Sequence, residues 1–330
     1  MTVLVTGGAG YIGSHTVRLL REQGRDVVVL DTLESGFEAA LLGAPIVIGD
    51  IADVDLVQKV VSEHDITSVI HFAGYKNAGE SMRDPGKYFA NNVAGTAALL
   101  RALEGRAVES FVFSGSCSVY GTPAELPVSE AAPLQPESPY GQSKLMGEQM
   151  LRWYGEVHGL RWISLRYFNA AGASADGEIG EDSSQSLNLV PVVMKATLGL
   201  RGPVQVFGTD FPTPDGTGIR DYIHVDDLAS GHLLALEHLE QGGSAAAINL
   251  GTGTGSSIRE VIEATERVSG KPVPTEYVAR RAGDPAAVWA DNRLAAELLG
   301  WTPKYGLDEI IESAWRWQST RPTGYLPPSS

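Results

Sequence analysis

A glycine-rich turn, Gly7-Gly8-Ala9-Gly10-Tyr11-Ile12-Gly13, separates an apolar β-type run, Thr2–Thr6, from a helical pattern over Ile12–Gln23. The spacing G-x-x-G-x-x-G constrains the chain because each glycine answers a different demand. One permits the tight turn, one lets the backbone approach a pyrophosphate, and one lets helix and strand touch, while the free N–H groups of the helix start face the anion. Gly24 then precedes a second apolar run, Val27–Leu30, which completes a βαβ unit. Asp31 closes that strand 18 residues beyond Gly13. A carboxylate there accepts hydrogen bonds from an adenosine ribose and repels a 2′-phosphate, so the pattern selects NAD over NADP.

The alternation continues with a helix over Asp53–Glu63, a strand over Val69–Phe72, a helix over Asp84–Leu103, a strand over Phe111–Phe113, a helix over Pro139–Gly155 and a strand over Trp162–Leu165. Alternation this regular predicts an α/β fold, a Rossmann-type doubly wound parallel sheet covered on both faces. Residues 1–170 are expected to form the NAD-binding domain. Beyond Asn169 the pattern weakens, and Gly- and Pro-bearing loops around Gly172–Ser184 and Gly208–Gly218 separate shorter elements. A smaller C-terminal α/β substrate domain is expected over 171–330. Segments near 220–250, including Val225–Leu239 and Ala246–Leu250, return to the first sheet in this reading.

Composition narrows the partners. With 40 acidic against 25 basic residues the net charge is −15, a field that repels nucleic acid and anionic lipid. A phosphate-bearing ligand therefore depends on local cations and helix N-termini. A single cysteine, Cys117, makes neither an internal disulfide nor a multi-thiolate metal site. No metal is expected. No apolar window reaches the length of a membrane span, and no leader pattern opens the chain, so a cytoplasmic protein without a membrane partner is expected.

Tyr140 and Lys144 lie four apart in a helix entered through Ser138 and Pro139, so they share a face. An ammonium there, together with a positively charged nicotinamide ring, lowers a phenol towards the range of a general base. The strand before this helix ends in Ser114-Gly115-Ser116-Cys117-Ser118-Val119-Tyr120, where Ser116 is placed to hydrogen-bond a hydroxyl under oxidation. Cys117 has no base motif beside it and reads as a small buried residue.

With the glycine turn, Ser116 and the Tyr140/Lys144 pair in order, the chain resembles the extended short-chain dehydrogenase/reductases, and within them the UDP-galactose 4-epimerases. The resemblance covers nearly the whole length. It is carried also by His71-Phe72-Ala73-Gly74-Tyr75-Lys76, Asn91-Asn92-Val93-Ala94-Gly95-Thr96, Arg166-Tyr167-Phe168-Asn169, the run Asp215–Val225, and Arg281-Ala282-Gly283-Asp284. It implies that Gly7, Gly10, Tyr11, Ile12, Gly13 and Asp31 hold NAD, with Asp50 and Ile51 at the adenine, and Phe72, Ala73, Lys76 and Asn91 along the phosphate and ribose side. Tyr140 and Lys144 serve cofactor and chemistry alike, and Phe168 lies beside the nicotinamide. Asn169, Asn188, Leu189, Arg220, Arg281 and Asp284 face the UDP portion, and Phe207 packs near the uracil. Paired arginines suit a pyrophosphate because the guanidinium stays charged and offers paired donors.

The implied reaction is epimerisation at C4 of a UDP-hexose. Tyr140 takes the 4-OH proton while hydride passes from C4 to NAD, the 4-keto sugar turns over, and hydride returns to the other face. NAD is retained throughout, and a homodimer pairing through the helices over Asp84–Leu103 and Pro139–Gly155 is implied as well. Val288 matches the place where relatives carry a bulky or a small residue beside the hexose 2-substituent; valine leaves room for N-acetylated sugars. Thr32, Glu34 and the short segment Gly36–Pro45 depart from the family pattern near the adenosine. Other outcomes stay open at this point. A nucleotide-sugar 4,6-dehydratase needs an Asp-Glu pair where Cys117-Ser118 stands, a uronate epimerase or decarboxylase needs an extra cation, and a non-catalytic NAD-binding regulatory protein has no use for Ser116, Tyr140 and Lys144.

Overall fold

The computed structural model describes residues 2–182, 186–281 and 284–325. Strands β1 (Thr2–Thr6), β2 (Asp26–Asp31), β3 (Ile46–Ile48), β4 (Ile66–His71), β5 (Ser110–Ser114) and β6 (Arg161–Tyr167) join the later strand Ala246–Leu250 in one parallel sheet. Its order is Ala246–Leu250, β6, β5, β4, β1, β2, β3. Strands β1 and β2 are nearly unbroken apolar runs because both faces are covered, whereas β4 and β6 also bury Ser68, His71, Ser164 and Arg166. Val3, Val5, Val27 and Val29 pack on one face with Val17 and Leu20 of helix Tyr11–Glu22 and with Leu228 and Leu236 of helix Val225–Glu240. Leu4, Val28 and Leu30 point the other way, onto Val57 and Val60 of helix Val54–Glu63, Leu99 of helix Thr96–Leu103 and Leu151 of helix Pro139–His158. Each such fully buried side chain stabilises the sheet by about 1.5–3 kcal/mol.

The chain builds β1 to β3 outward on one side and then crosses to β4 on the other. The strand order reverses between β1 and β4, and in open α/β sheets ligands bind in the crevice at the carboxyl ends of such strands.

Strand β4 starts three residues before the expected Val69 and ends one before Phe72, and two helices differ from expectation for local reasons. The helix expected over Asp84–Leu103 is three pieces: Asp84 caps Pro85–Tyr88, a seven-residue π-helical stretch runs over Phe89–Gly95, and Thr96–Leu103 is α-helical. The wide stretch accommodates Asn92, whose amide is bound on both sides. Its Oδ1 accepts from Tyr75 N at 2.9 Å, and its Nδ2 donates to Tyr75 O at 2.9 Å and Ser143 Oγ at 3.1 Å. A tertiary clamp thus outweighs the α-helical period. The helix expected to end at Gly155 continues to His158 and stops at Gly159, which adopts φ 73°. Gly155 is interior to the helix, and it needs to be small there because a Cβ would lie 3.0 Å from Trp162 Nε1.

Beyond β6 a second core forms from Val190, Met194, Val206, Ile262, Ile310 and Ile311. Helices Leu189–Thr197, Ile258–Ser269 and Leu307–Thr320 pack there with the strand pair Val204–Phe207 and Thr275–Val278. A small sheet sets Ile219–Arg220 between Ser256–Ser257 and Ala287–Val288. Fully buried Asp221 ties this region to the main sheet, accepting from Thr252 N at 2.9 Å, Thr252 Oγ1 at 2.7 Å and Ala290 N at 3.1 Å. Among the described residues no helix is long and apolar enough to cross a membrane.

Candidate active site

At the reversal point the glycine turn follows β1 and Phe72-Ala73 follows β4. Gly7 has φ 71°, and a Cβ on it would lie 2.4 Å from Ala73 N; a Cβ on Gly13 would lie 2.4 Å from Gly7 O. Neither position takes a side chain, because neighbouring backbone already fills the space. Gly10 differs: it is the N-cap of helix Tyr11–Glu22, and a Cβ there would approach only Gly7 O, at 3.3 Å. No acidic side chain occupies that helix's first turn, so its N–H groups are left for an anion. Asp31 braces the turn, with Oδ2 accepting from Ala9 N and Oδ1 from Leu33 N, both at 2.9 Å. Each oxygen retains a lone pair for a ribose hydroxyl.

The remaining cofactor-side residues gather around the same strand ends. Ile51 is buried below Gly95, whose Cβ would meet Ile51 Cδ1 at 3.1 Å, and Asp50 is exposed with Oδ1 accepting from Ala52 N at 2.9 Å. Phe72 lies tilted against His232, their ring centroids 4.6 Å apart and their planes at 44°. Ile12 packs with Phe72 against one face of the sheet, and Tyr11 donates its hydroxyl to Gly172 O at 2.7 Å. Asn91 lies in the π-helical stretch, and its buried Oδ1 has no hydrogen-bond partner among the described residues. An orphaned acceptor of that kind, a turn that excludes side chains and a free helix N-terminus together fit a dinucleotide.

The proton-transfer group lies at the end of β5. Ser116 is buried; its Oγ accepts from Ser118 N at 3.2 Å, which leaves its O–H free to donate. Tyr140 is anchored through its backbone N–H to Ser81 Oγ at 3.2 Å. Burial pushes the Tyr140 phenol up to about 12, while its hydrogen bond with Ser116 works in the opposite direction. Lys144 donates to Ser114 O at 2.8 Å, and burial brings it down to about 8, opposed by the charge of Glu148 one turn further on. Within the protein alone desolvation dominates and Lys144 is turned to a carbonyl, so the ammonium by itself does not produce the lowering expected from it together with a positively charged nicotinamide. Neighbouring His71 is held between Thr6 Oγ1 at 2.6 Å and Thr96 Oγ1 at 2.9 Å and is pushed down to about 3 by burial, so it stays neutral. Burial raises the Cys117 thiol to about 12, which removes it as a nucleophile. The short helix Cys117–Tyr120 carries no carboxylate.

The sugar-nucleotide side falls into three groups. Phe168 is buried with Val119 and Tyr120, and Val288 packs against that cluster. Val288 is also the parallel register partner of Arg220, whose Nη2 lies 3.9 Å from Asp284 Oδ1. Arg281 sets its guanidinium 3.5 Å above the Phe207 ring centroid. Ala282 and Gly283, between Arg281 and Asp284, lie outside the described residues. Asn169 donates Nδ2 to Asp221 O at 3.0 Å. Asn188 and Leu189 open helix Leu189–Thr197, and Asn188 is joined to Lys76 through a carboxylate that the sequence did not single out, Glu181.

Residues 3–251 match the NAD dependent epimerase/dehydratase family. The chain belongs to that family. Among its relatives, the UDP-glucose 4-epimerase of Halalkalibacterium halodurans is 48% identical, the alignment covering 98% of each chain. The crystal structure of UDP-glucose 4-epimerase from Brucella ovis in complex with NAD superposes with a TM-score of 0.94 at 48% identity, over 95% of this chain and 97% of that one. That of the Bifidobacterium longum enzyme in complex with NAD+ and UDP gives 0.93 at 41% identity, over 98% and 100%.

Sequence reasoning missed three supports of this family site. Asn92 fixes Tyr75 to the helix of Tyr140, Ser81 anchors the first turn of that helix, and Glu181 links Lys76 to Asn188. Asn92 was visible only as half of Asn91-Asn92, and Ser81 and Glu181 stand in no spacing that marks them. The lowered Lys144 yields a prediction. As pH rises through about 8 the ammonium loses its proton, its field on Tyr140 vanishes, and kcat is expected to fall; Lys144→Arg, which stays charged, shifts that fall to higher pH. A kcat–pH profile of both proteins checks it, and a profile flat through this range counts against the ammonium.

Proposed function

We propose that this epimerase-family chain interconverts UDP-galactose and UDP-glucose by inverting C4 through a 4-keto intermediate, with the N-acetylated pair as further substrates. The observation that carries the reading is the convergence of Ser116, Tyr140 and Lys144 at the end of β5, beside a glycine turn whose geometry admits a pyrophosphate. Gly7, Gly10, Gly13 and the start of helix Tyr11–Glu22 would cradle the NAD phosphates, with Tyr11 and Ile12 alongside. Asp31 would take the ribose, Asp50 and Ile51 the adenine, and Phe72, Ala73, Lys76 and Asn91 the remaining length. Bound NAD supplies the oxidant that removes two electrons from C4 and gives them back.

Every other step belongs to side chains. Tyr140 Oη takes the proton of the sugar 4-OH and returns it after the ketone has turned. Ser116 donates to the same oxygen, and Lys144 stabilises the phenolate electrostatically. Asn169, Asn188, Leu189, Arg220, Arg281 and Asp284 grip UDP with Phe207 near the uracil, while Phe168 and Val288 shape the hexose space. Firm anchors on the nucleotide leave the hexose free to present either face. Residues 1–170 thus serve NAD and 171–330 mainly the UDP-sugar, with the segments near 220–250 shared.

The same reading makes the protein a cytoplasmic homodimer. Trp153 and Val157, 56% and 68% exposed, are one turn apart on helix Pro139–His158 and form an apolar strip suited to a second copy.

The decisive assay incubates the protein, without added NAD, with UDP-galactose, UDP-GalNAc and a dTDP-hexose and identifies the products. UDP-glucose is expected from the first, and Tyr140→Phe is expected to lower kcat about a thousandfold; unchanged turnover removes Tyr140 from the mechanism. Val288→Tyr is expected to cut the ratio of UDP-GalNAc to UDP-galactose rates about tenfold, and an unaltered ratio removes Val288 from substrate choice. Sedimentation of a Trp153→Glu/Val157→Glu variant should give monomer mass; a dimer in that variant sinks the interface.

A further inference from the structure

The Glu181 side chain is only 7% exposed, and among the described residues its Oε2 finds no hydrogen-bond donor. Its Oε1 carries three: Lys76 Nζ at 3.2 Å, Ser186 Oγ at 2.9 Å and Asn188 Nδ2 at 2.9 Å. Burying a carboxylate is costly unless both oxygens are matched, so a half-matched one calls for a function. Its backbone is fixed, since Trp317 Nε1 donates to Glu181 O at 2.9 Å. The group most affected is Asn188. It occupies the N-cap of helix Leu189–Thr197, where an asparagine ordinarily turns its side-chain oxygen back onto the helix's own N–H groups. Asn188 makes no such bond. Its amide is drawn to Glu181, and its backbone N–H donates to Ser186 Oγ at 3.3 Å, so both ends of the residue are held by one cluster.

We propose that Glu181 is a positioning residue for UDP: it holds Asn188 off its own helix, leaving the side-chain oxygen of Asn188 and the uncapped first turn for the nucleotide, while tethering Lys76 from the cofactor side. This rests on the reading of Asn188 as UDP-facing. Lys76 is 62% exposed, so that ion pair contributes little by itself, and the hold on Asn188 dominates. Glu181 touches no reacting atom, so its loss is felt in binding rather than in turnover.

The test titrates NAD-loaded protein with UDP by calorimetry and measures KM and kcat for UDP-galactose. Glu181→Ala is expected to weaken UDP about tenfold, as the loss of a charge-assisted hydrogen bond does, with kcat within about twofold of the parent. Glu181→Gln keeps the acceptor oxygen and is expected to restore affinity. The double variant Glu181→Ala/Asn188→Ala is expected to bind no more weakly than Asn188→Ala alone, because the two residues act as one unit. Unchanged UDP affinity in Glu181→Ala, or fully additive losses in the double variant, overturns the proposal. Should Glu181→Ala fail to hold NAD, Glu181→Asp, shorter by one methylene, carries the same expected loss, and parental affinity there overturns it equally. Parent protein that binds no UDP refutes the functional reading itself, a result distinct from a parent that binds and variants that do not differ from it.

Discussion

The approach of two backbones at Gly7 sets the geometry on which the rest depends. A side chain there would penetrate the amide of Ala73, so β1 and β4 are free to lie adjacent with their following loops in contact. That contact places the turn at residues 7–13 opposite Phe72-Ala73 and opens the sheet where its strand order reverses. Asp31 ends β2, and Asp50, Ser116 and Phe168 follow β3, β5 and β6 at the same edge, so one sheet brings together residues that are far apart in the chain.

Electrostatics at the site is governed by burial. Desolvation holds the Tyr140 phenol near 12 and brings Lys144 towards 8, so each group is pressed towards its neutral form. A shift of this size on Tyr140 corresponds to about 3 kcal/mol. One additional positive charge about 4 Å away, at an effective dielectric constant of about 20, is worth about 4 kcal/mol. A single cation entering the site therefore offsets the desolvation penalty and brings the phenol back towards its ordinary value. Behind Lys144, Glu148 is matched by Arg166 at 2.6 Å and Ser164 at 2.7 Å, so the negative charge next to the ammonium is kept in place.

Local chemistry was legible in the sequence. The glycine turn, Asp31 at the end of β2, Ser116 after β5 and the four-residue spacing of Tyr140 and Lys144 are short-range patterns, and the structure places each on the expected element. What escaped depends on distant partners. Nothing within Phe89–Gly95 announces a π-helical stretch, because its cause is the clamp from Asn92 to Tyr75 and Ser143. Gly155 resembles a helix stop until Trp162 is seen against it. Glu181 reads as one acidic residue among many until Lys76 and Asn188 converge on it, and the cost of burying the Tyr140 phenol has no short-range signature.

The last strand of the main sheet, Ala246–Leu250, is supplied only after the chain has passed through the first part of its second core, including Val190, Met194 and Val206. Until Leu250 has left the ribosome, β6 presents a bare row of amide and carbonyl groups, and Tyr120 lacks Asn249, the acceptor of its buried hydroxyl. The nascent protein thus carries an adhesive margin through about a quarter of its synthesis, and no shortened form ending before that strand can seal it.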